Sequence, residues 1–265
     1  MQNNIKQFSG CWAVILGGSS GFGFAATEKL ARHGMNVAVL YREIAAADKT
    51  VKQQFADIAL ANSVHIEPFN VNALDSDARK LFVTNFMNDK THQVKLLLHS
   101  IARGNLKPIS AEDGAVLSAD DFQLTTYAMA TSLLDWTRDL VAANAFADDA
   151  RIIGLTSEGS HKYWEGYAAV SAAKASLESL NTYMAVELAR FGLKTNLIQA
   201  GVTATPSLKR IPNSERLIAG ATQRNPFKRL TEPEDVANVI YLLCTPEAAW
   251  INGAVIHVDG GEHCR

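Results

Sequence analysis

Short apolar runs alternate along this chain with longer amphipathic stretches. Seven such runs read as strands: CWAVIL (11–16), MNVAVLY (35–41), SVHIEPFNV (63–71), VKLLLHS (94–100), RIIGLTS (151–157), LKTNLIQA (193–200) and GAVIHVDGG (253–261). Strands that are largely apolar and alternate with helices are typical of a parallel sheet covered on both faces. The pattern predicts an α/β fold, a Rossmann-type doubly wound seven-stranded parallel sheet with right-handed crossovers.

The amphipathic stretches between the strands predict the helices. They cover 23–34, where glycine stops the helix, then 44–60 and 76–87, a long helix over roughly 121–146, and one over about 167–190. Two segments, 101–120 and 203–231, interrupt this rhythm. Both follow the carboxyl ends of strands, where such sheets bind ligands. We expect the second, at about 203–231, to order over the substrate as a lid.

Composition limits the classes of protein to consider. The 265 residues are 48% apolar with a net charge of −2, which predicts one domain over 1–265 and neither nucleic acid nor membrane as partner. The first ten residues, MQNNIKQFSG, lack the layout of a signal peptide, and no apolar run is long enough to span a bilayer. The three scattered cysteines, Cys11, Cys244 and Cys264, predict a reducing cytoplasmic location and no metal site.

The turn after the first strand carries a glycine pattern that suits a dinucleotide. In GGSSGFG, Gly17 permits a tight turn, Gly21 lets the backbone approach a diphosphate, and Gly23 allows close helix packing. The helix that follows offers amide groups and its positive dipole end to phosphate.

The end of the second strand favours NADPH over NADH. NAD-binding folds tend to place an acid here for the ribose 2′-hydroxyl, whereas this strand ends in Tyr41 and Arg42. Arg42 can hold a 2′-phosphate, and Ser19 and Ser20 can add hydroxyl donors. The alternative is a solvated arginine at a strand end, and the neighbouring Glu43 keeps that alternative open.

Over nearly the whole chain these residues resemble the short-chain dehydrogenase/reductase superfamily. The turn GGSSGFG, FNV after the third strand, a tyrosine and lysine pair, and INGAVIHVDGG stand in its order. LLLHSIARGNLKP, QAGVTAT, NPFKRLTEPEDVANVIYLLC and GYAAVSAAKASLESL are similar to its enoyl-acyl-carrier-protein reductase branch (FabI/FabL type). The last stretch has that branch's spacing, with six residues between Tyr167 and Lys174.

The chain departs from the superfamily at two positions. Leu16 replaces a usual threonine before the glycine-rich turn, and Met129 stands near where ketoreductases keep an asparagine. Ser157 stands where ketoreductases keep their catalytic serine. The FabL-like subgroup keeps a serine at the same position.

The seven-residue step from Tyr167 to Lys174 bears on the reaction. On a helix, the residues four and seven positions before a lysine both lie on the lysine's face, but they are about 5 Å apart along the helix axis. In a conjugate reduction hydride goes to the β-carbon of an enoyl thioester and charge collects on the more distant carbonyl oxygen. A tyrosine one turn further back suits that geometry, while Val170, four residues before the lysine, can do no acid chemistry.

The resemblance implies a role for each member of the site. Tyr167 donates to the enolate oxygen, and Lys174 holds the nicotinamide ribose and lowers the pKa of the tyrosine. Tyr163 lines the acyl pocket or orients the substrate, or it is simply a packing aromatic. Ser157 bonds the substrate carbonyl, or only its own turn. We expect His99, which ends the fourth strand, to be a packed histidine.

The expected cofactor site follows the carboxyl ends of the strands. Besides Lys174 it comprises Gly17, Ser19, Ser20, Gly21, Phe22, Gly23, Tyr41, Arg42, Asn70, Val71, Ser100, Ile101, Ala102, Gly201, Val202, Thr203 and Thr205.

The segment from Lys209 to Arg229 is basic. It holds six basic residues and one acid, a local balance of +5, which suits the phosphopantetheine and acidic surface of acyl carrier protein or the phosphates of CoA. An ordinary solvated helix face is the alternative. The resemblance also implies a homotetramer formed through the 121–146 and 167–190 helices.

Three functions compete. The favoured one is an NADPH-dependent trans-2-enoyl thioester reductase. A short-chain ketoreductase acting on a ketone or 3-oxoacyl thioester is supported by Ser157 and opposed by Val170 and Met129. A non-enzymatic NADP-binding sensor is disfavoured by the intact Tyr167 and Lys174 pair.

Overall fold

A computed structural model of the chain describes residues 6–89 and 91–265. The first five residues, half of the stretch on which the signal-peptide expectation rests, lie outside the described residues. The strands are β1 (Cys11–Leu16), β2 (Asn36–Tyr41), β3 (Ile66–Asn70), β4 (Gln93–His99), β5 (Phe146–Ser157), β6 (Leu193–Ala200) and β7 (Val255–Val258). The helices are α1 (Gly21–Arg32), α2 (Ala45–Asn62), α3 (Ser76–Phe86), α4 (Ala119–Thr126), α5 (Ser132–Ala142), α6 (Ala168–Glu187), α7 (Ser214–Arg224) and α8 (Pro233–Cys244).

All seven strands form one parallel sheet in the order β3-β2-β1-β4-β5-β6-β7, which confirms the predicted fold. Successive side chains of a strand point to opposite faces, so β1 supplies both cores. Trp12, Val14 and Leu16 pack in one core, and Ala13 and Ile15 in the other. The order reverses between β1 and β4, which opens the crevice where such sheets bind ligands.

The predicted long helix over 121–146 is wrong in its extent. It starts at Ala119, is interrupted by a π-helical turn over Tyr127–Thr131, and ends at Ala142. Phe146 already belongs to β5, because Phe146 pairs with Val94 of β4. Backbone pairing with a neighbouring strand, which the helical pattern of the segment does not reveal, sets this boundary.

Two segments differ from the simple alternation. The 203–231 segment contains one α-helix, α7, preceded by a short 3-10 turn over Leu208–Arg210. The helix α8, which the strand pattern did not predict, lies between it and β7 and buries Val236, Ala237 and Ile240. No helix within the described residues is both long enough and apolar enough to cross a bilayer.

Candidate active site

The glycine-rich turn has the tight geometry that its sequence predicted. Gly17 has a φ of +87°, and a Cβ there would collide with the carbonyl oxygen of Ser100 after β4. A Cβ on Gly23 would collide with the carbonyl oxygen of Gly17, so α1 starts directly against the turn. Ser20 precedes α1 without a side-chain capping bond. The turn therefore fits a diphosphate, which needs close backbone approach and free helix-terminal amides.

Replacing Gly17 with alanine is expected to destabilise the protein by about 1–3 kcal/mol and to weaken cofactor binding. The methyl group both strains the positive φ and meets the Ser100 backbone, which is not free to move away as a side-chain tip is. Urea unfolding without ligand measures the first effect. Gly220→Ala is the matched control, because a Cβ at this helical position enters open space. A Gly17→Ala protein as stable as the control contradicts the assignment.

A cation, Arg42, and an anion, Glu43, follow β2 next to the glycine-rich turn. The Ser19 hydroxyl donates to a Glu43 carboxylate oxygen at 2.9 Å. Asn70 holds the Glu43 backbone from both sides, accepting from its N–H and donating to its carbonyl, each at 2.9 Å. Arg42 is exposed and forms no ion pair within the described part of the chain. Both the arginine and the neighbouring acid thus remain available at the predicted ribose position.

Two predicted cofactor residues near this point use their side chains elsewhere. Tyr41 is buried, and its hydroxyl donates to Asp48 of α2 at 2.7 Å; burial and that carboxylate raise the pKa of the tyrosine. The Asn70 amide secures the loop after β2, as described above. The side chains of Tyr41 and Asn70 therefore support the backbone around the predicted cofactor site.

Tyr167 and Ser157 meet at the wall of a large cavity. The cavity has a volume of about 540 Å³, within the range of small-molecule sites, and Met129 and Val170 line it as well. Tyr167 lies immediately before the first residue of α6. Burial raises the pKa of its phenol, and the Ser157 hydroxyl partly offsets that rise. The phenol is therefore protonated at neutral pH and can donate.

The Ser157 hydroxyl has no hydrogen-bond partner of good geometry within residues 6–89 and 91–265, although its oxygen is buried. Such a group is costly unless something else satisfies it. It stands at the carboxyl end of β5, beside the phenol of Tyr167.

Lys174 lies behind the cavity wall rather than in it. Its ammonium donates to the Leu155 carbonyl of β5 at 2.7 Å, and the side chain is buried. Burial lowers the pKa of Lys174 to about 8, against the opposing effect of Glu178. The expectation that this lysine lowers the pKa of Tyr167 is not met in this structure, because its ammonium is held by the β5 backbone and burial dominates at the phenol.

His99 is a packed histidine, as predicted. It is buried, and its Nε2 lies 2.9 Å from the Ser132 hydroxyl at the start of α5. Burial, followed by the charge of Lys174, lowers the pKa of His99 to about 3, so the ring is neutral.

The loop after β6 closes the cavity on the side of the glycine-rich turn. Gly201, Val202, Thr203 and Thr205 all line the cavity, and the Thr205 side chain lies against Gly21 of the turn. Of the other predicted cofactor residues, Phe22 and Ala102 line the same cavity.

The 203–231 segment is fastened over the cavity by contacts that sequence reasoning missed. Arg224 of α7 donates to Glu158 at 3.1 Å and to Glu262 at 2.6 Å. Trp164 donates to the Pro212 carbonyl at 3.2 Å. No sequence signal pairs Arg224 with acids so distant along the chain; only the fold brings them together. Tyr163 also lines the cavity, but it is 90% exposed.

Comparisons with known proteins agree with this geometry. The family model described as "Enoyl-(Acyl carrier protein) reductase" matches residues 17–263. "Enoyl-[acyl-carrier-protein] reductase [NADH] FabI" of Aquifex aeolicus is 31% identical over 193 residues, which cover 72% of this chain and 69% of that protein. "3-oxoacyl-[acyl-carrier-protein] reductase" of Synechocystis is 30% identical over 253 residues, covering 94% and 95%.

Solved structures show the same fold. FabI from Candidatus Liberibacter asiaticus superposes with a TM-score of 0.83 at 23% identity over 98% of both chains. The chain belongs to the short-chain dehydrogenase/reductase superfamily, whose members are oxidoreductases that bind a nicotinamide cofactor. Within it the chain resembles the enoyl-acyl-carrier-protein reductases of the FabI type.

Proposed function

We propose that this oxidoreductase reduces the carbon–carbon double bond of a trans-2-enoyl thioester. The observation that carries the proposal is the placement of two residues on one cavity wall, where Tyr167 supplies a hydroxyl and Val170 supplies none. A donor at position 170 would suit an oxygen on the carbon that receives hydride. A donor at 167 suits an oxygen further from that carbon.

In this proposal the residues of the chain stabilise charge on the substrate. When bound, a reduced nicotinamide would supply hydride for the β-carbon; the double-bond electrons would move onto the thioester oxygen as an enolate, and a proton from solvent would then add at the α-carbon. The protonated phenol of Tyr167 donates a hydrogen bond to that oxygen. The Lys174 ammonium, charged below about pH 8, binds the ribose hydroxyls. The apolar wall of Met129 and Val170 excludes water from the acyl chain.

Ketone reduction is the second candidate, because one observation favours it. The Ser157 hydroxyl lines the cavity and has no hydrogen-bond partner of good geometry among the described residues, so it is available to a substrate carbonyl. A matched relative is a 3-oxoacyl reductase by name. Val170 and Met129 count against it, since they occupy the positions of the ketoreductase tyrosine and asparagine.

Oxidation of the reduced cofactor separates the two candidates. Crotonyl and acetoacetyl thioesters carry the same number of carbons, so both fit a cavity of this size. The proposal expects a crotonyl kcat/KM at least about 100-fold above the acetoacetyl value, a difference of nearly 3 kcal/mol in barrier. Turnover of the ketone alone overturns the proposal, and no turnover of either favours the sensor.

We propose NADPH as the cofactor, although relatives carry NADH in their names. Exposed Arg42 supports this choice, while the Ser19–Glu43 hydrogen bond places a carboxylate nearby. Arg42→Ala is expected to weaken NADPH about tenfold and NADH less than about twofold, because only the former has a 2′-phosphate. Fluorescence titration of both cofactors measures this. Tighter binding of NADH by the unsubstituted protein contradicts the choice.

We also propose that the acyl group arrives on acyl carrier protein or CoA. Arg210 and Arg216 line the cavity and form no ion pair within the described residues. Arg224 and Arg229 are already paired, the latter with Asp235 at 2.6 Å, so the free charge is smaller than the sequence balance. Arg210 and Arg216 are therefore the cations that support a phosphate-bearing carrier.

A homotetramer and a cytoplasmic location belong to the same proposal. Leu124 of α4 and Tyr183 and Val186 of α6 are 64%, 64% and 74% exposed. Apolar side chains on these two helices support the predicted assembly through them.

A further inference from the structure

Two histidines and an aspartate meet at the carboxyl end of the sheet. His257 is the third residue of β7, and Asp259 directly follows the last residue of that strand, Val258. The turn that follows brings His263 back against them. One ligand atom from each of the three residues lies within 4.8 Å of the other two.

The carboxylate at the centre of this group is buried and charged. Asp259 is 5% exposed and accepts from the Gly261 N–H at 2.9 Å and the His263 N–H at 3.0 Å. It also lies 2.6 Å from His263 Nδ1. These hydrogen bonds outweigh burial and hold the pKa of the Asp259 carboxyl below its usual range.

The two imidazoles lie side by side. Their ring centroids are 3.9 Å apart, with the planes at 88°. His257 is exposed and His263 half-buried, so an ion has access from solvent. Two adjacent imidazoles and one carboxylate form a donor set that suits divalent transition metals.

We propose that His257, Asp259 and His263 bind a divalent transition-metal ion of the zinc class. Tetrahedral ligands at about 2.0–2.2 Å from zinc stand about 3.3 Å from one another, so rotations of these side chains suffice to surround an ion. The ion takes the place of the proton shared between Asp259 and His263 Nδ1. The scattered cysteines predicted no metal site, whereas the ligands proposed here are two histidines and an aspartate.

The proposed ion has a structural consequence for the lid. Asp259, Glu262 and His263 line the substrate cavity, and Glu262 receives the Arg224 side chain of α7. Fixing the turn with a metal therefore also fixes the anchor of α7. This role does not depend on which thioester is reduced.

Zinc titration of the tag-free full chain tests the proposal. All proteins carry Cys264→Ser, because the exposed Cys264 thiol lies 3.4 Å from His263 Nε2 and thiolates are themselves zinc ligands. After treatment with a chelator, calorimetry is expected to find one Zn²⁺ per chain and a raised Tm. His257→Gln and His263→Gln are each expected to weaken binding at least about tenfold.

His65→Gln is the matched control, since His65 is equally exposed but precedes β3 at the opposite edge of the sheet. It is expected to leave zinc binding unchanged. His257 is exposed, so its replacement leaves the fold intact, which circular dichroism checks. The proposal is overturned by absent binding in the Cys264→Ser protein, or by undiminished binding in His257→Gln. An equal loss in the His65→Gln control also overturns it.

Discussion

Replacing Tyr167 with phenylalanine is expected to lower kcat for an enoyl thioester by about 10²–10³-fold, with KM little changed. The phenol is the hydroxyl donor beside the catalytic end of β5, and burial keeps it protonated. Removing it leaves the enolate oxygen without its partner in the transition state, while the ring still fills its place. Steady-state kinetics with crotonyl thioester measure the loss.

Tyr163→Phe is the matched control for this change. Its side chain is 90% exposed, so water can replace any hydrogen bond its hydroxyl makes, and we expect a change below about fivefold. A greater loss from Tyr163→Phe than from Tyr167→Phe means that the wrong tyrosine has been assigned as donor.

Replacing Lys174 with methionine is expected to weaken binding of the reduced cofactor about 10–100-fold and to remove its pH dependence. The lysine pKa is lowered to about 8, so the ammonium is charged below that pH and neutral above it. Affinity of the unsubstituted protein therefore falls as pH rises through about 8. In Lys174→Met the affinity is low throughout and flat in this range.

Cofactor titrations between pH 6.5 and pH 9.5, about 1.5 pH units on either side of the Lys174 pKa, check this expectation. Methionine has nearly the same length as the apolar part of lysine, so packing in α6 is kept. It leaves the Leu155 carbonyl without its donor, and thermal unfolding of the unliganded proteins measures that separate cost. A pH dependence that survives in Lys174→Met assigns the titration to another group.

Much of the fold could be predicted because the strands of a parallel sheet are nearly continuous apolar runs. The placement of Gly17 and Gly23 at the junction of β1 and α1 follows from the same pattern. The end of the helix predicted over 121–146 could not be predicted, because the pairing of Phe146 with Val94 of β4 determines where the helix must have stopped. The start of α8 did carry a local signal, Pro233 followed by two acids, which the strand-based prediction left unused.

The site was predictable where a residue acts from a fixed place on a strand end or helix. Tyr167 and Ser157, both predicted as site residues, line one cavity together with Val170. The direction of the Lys174 ammonium was not predictable, because it depends on the β5 carbonyl that the fold brings within hydrogen-bond distance. The contacts of Arg224 with Glu158 and Glu262 depend on tertiary folding alone.

The position of a transferred deuterium tests the central claim most directly. Reduced cofactor carrying deuterium at C4 of the nicotinamide is incubated with crotonyl thioester, and the product is read by NMR. We expect butyryl thioester with deuterium on the β-carbon, formed about 10²–10³-fold more slowly by Tyr167→Phe. No labelled butyryl product, together with deuterium on the carbinol carbon of 3-hydroxybutyryl thioester from acetoacetyl thioester, would contradict it.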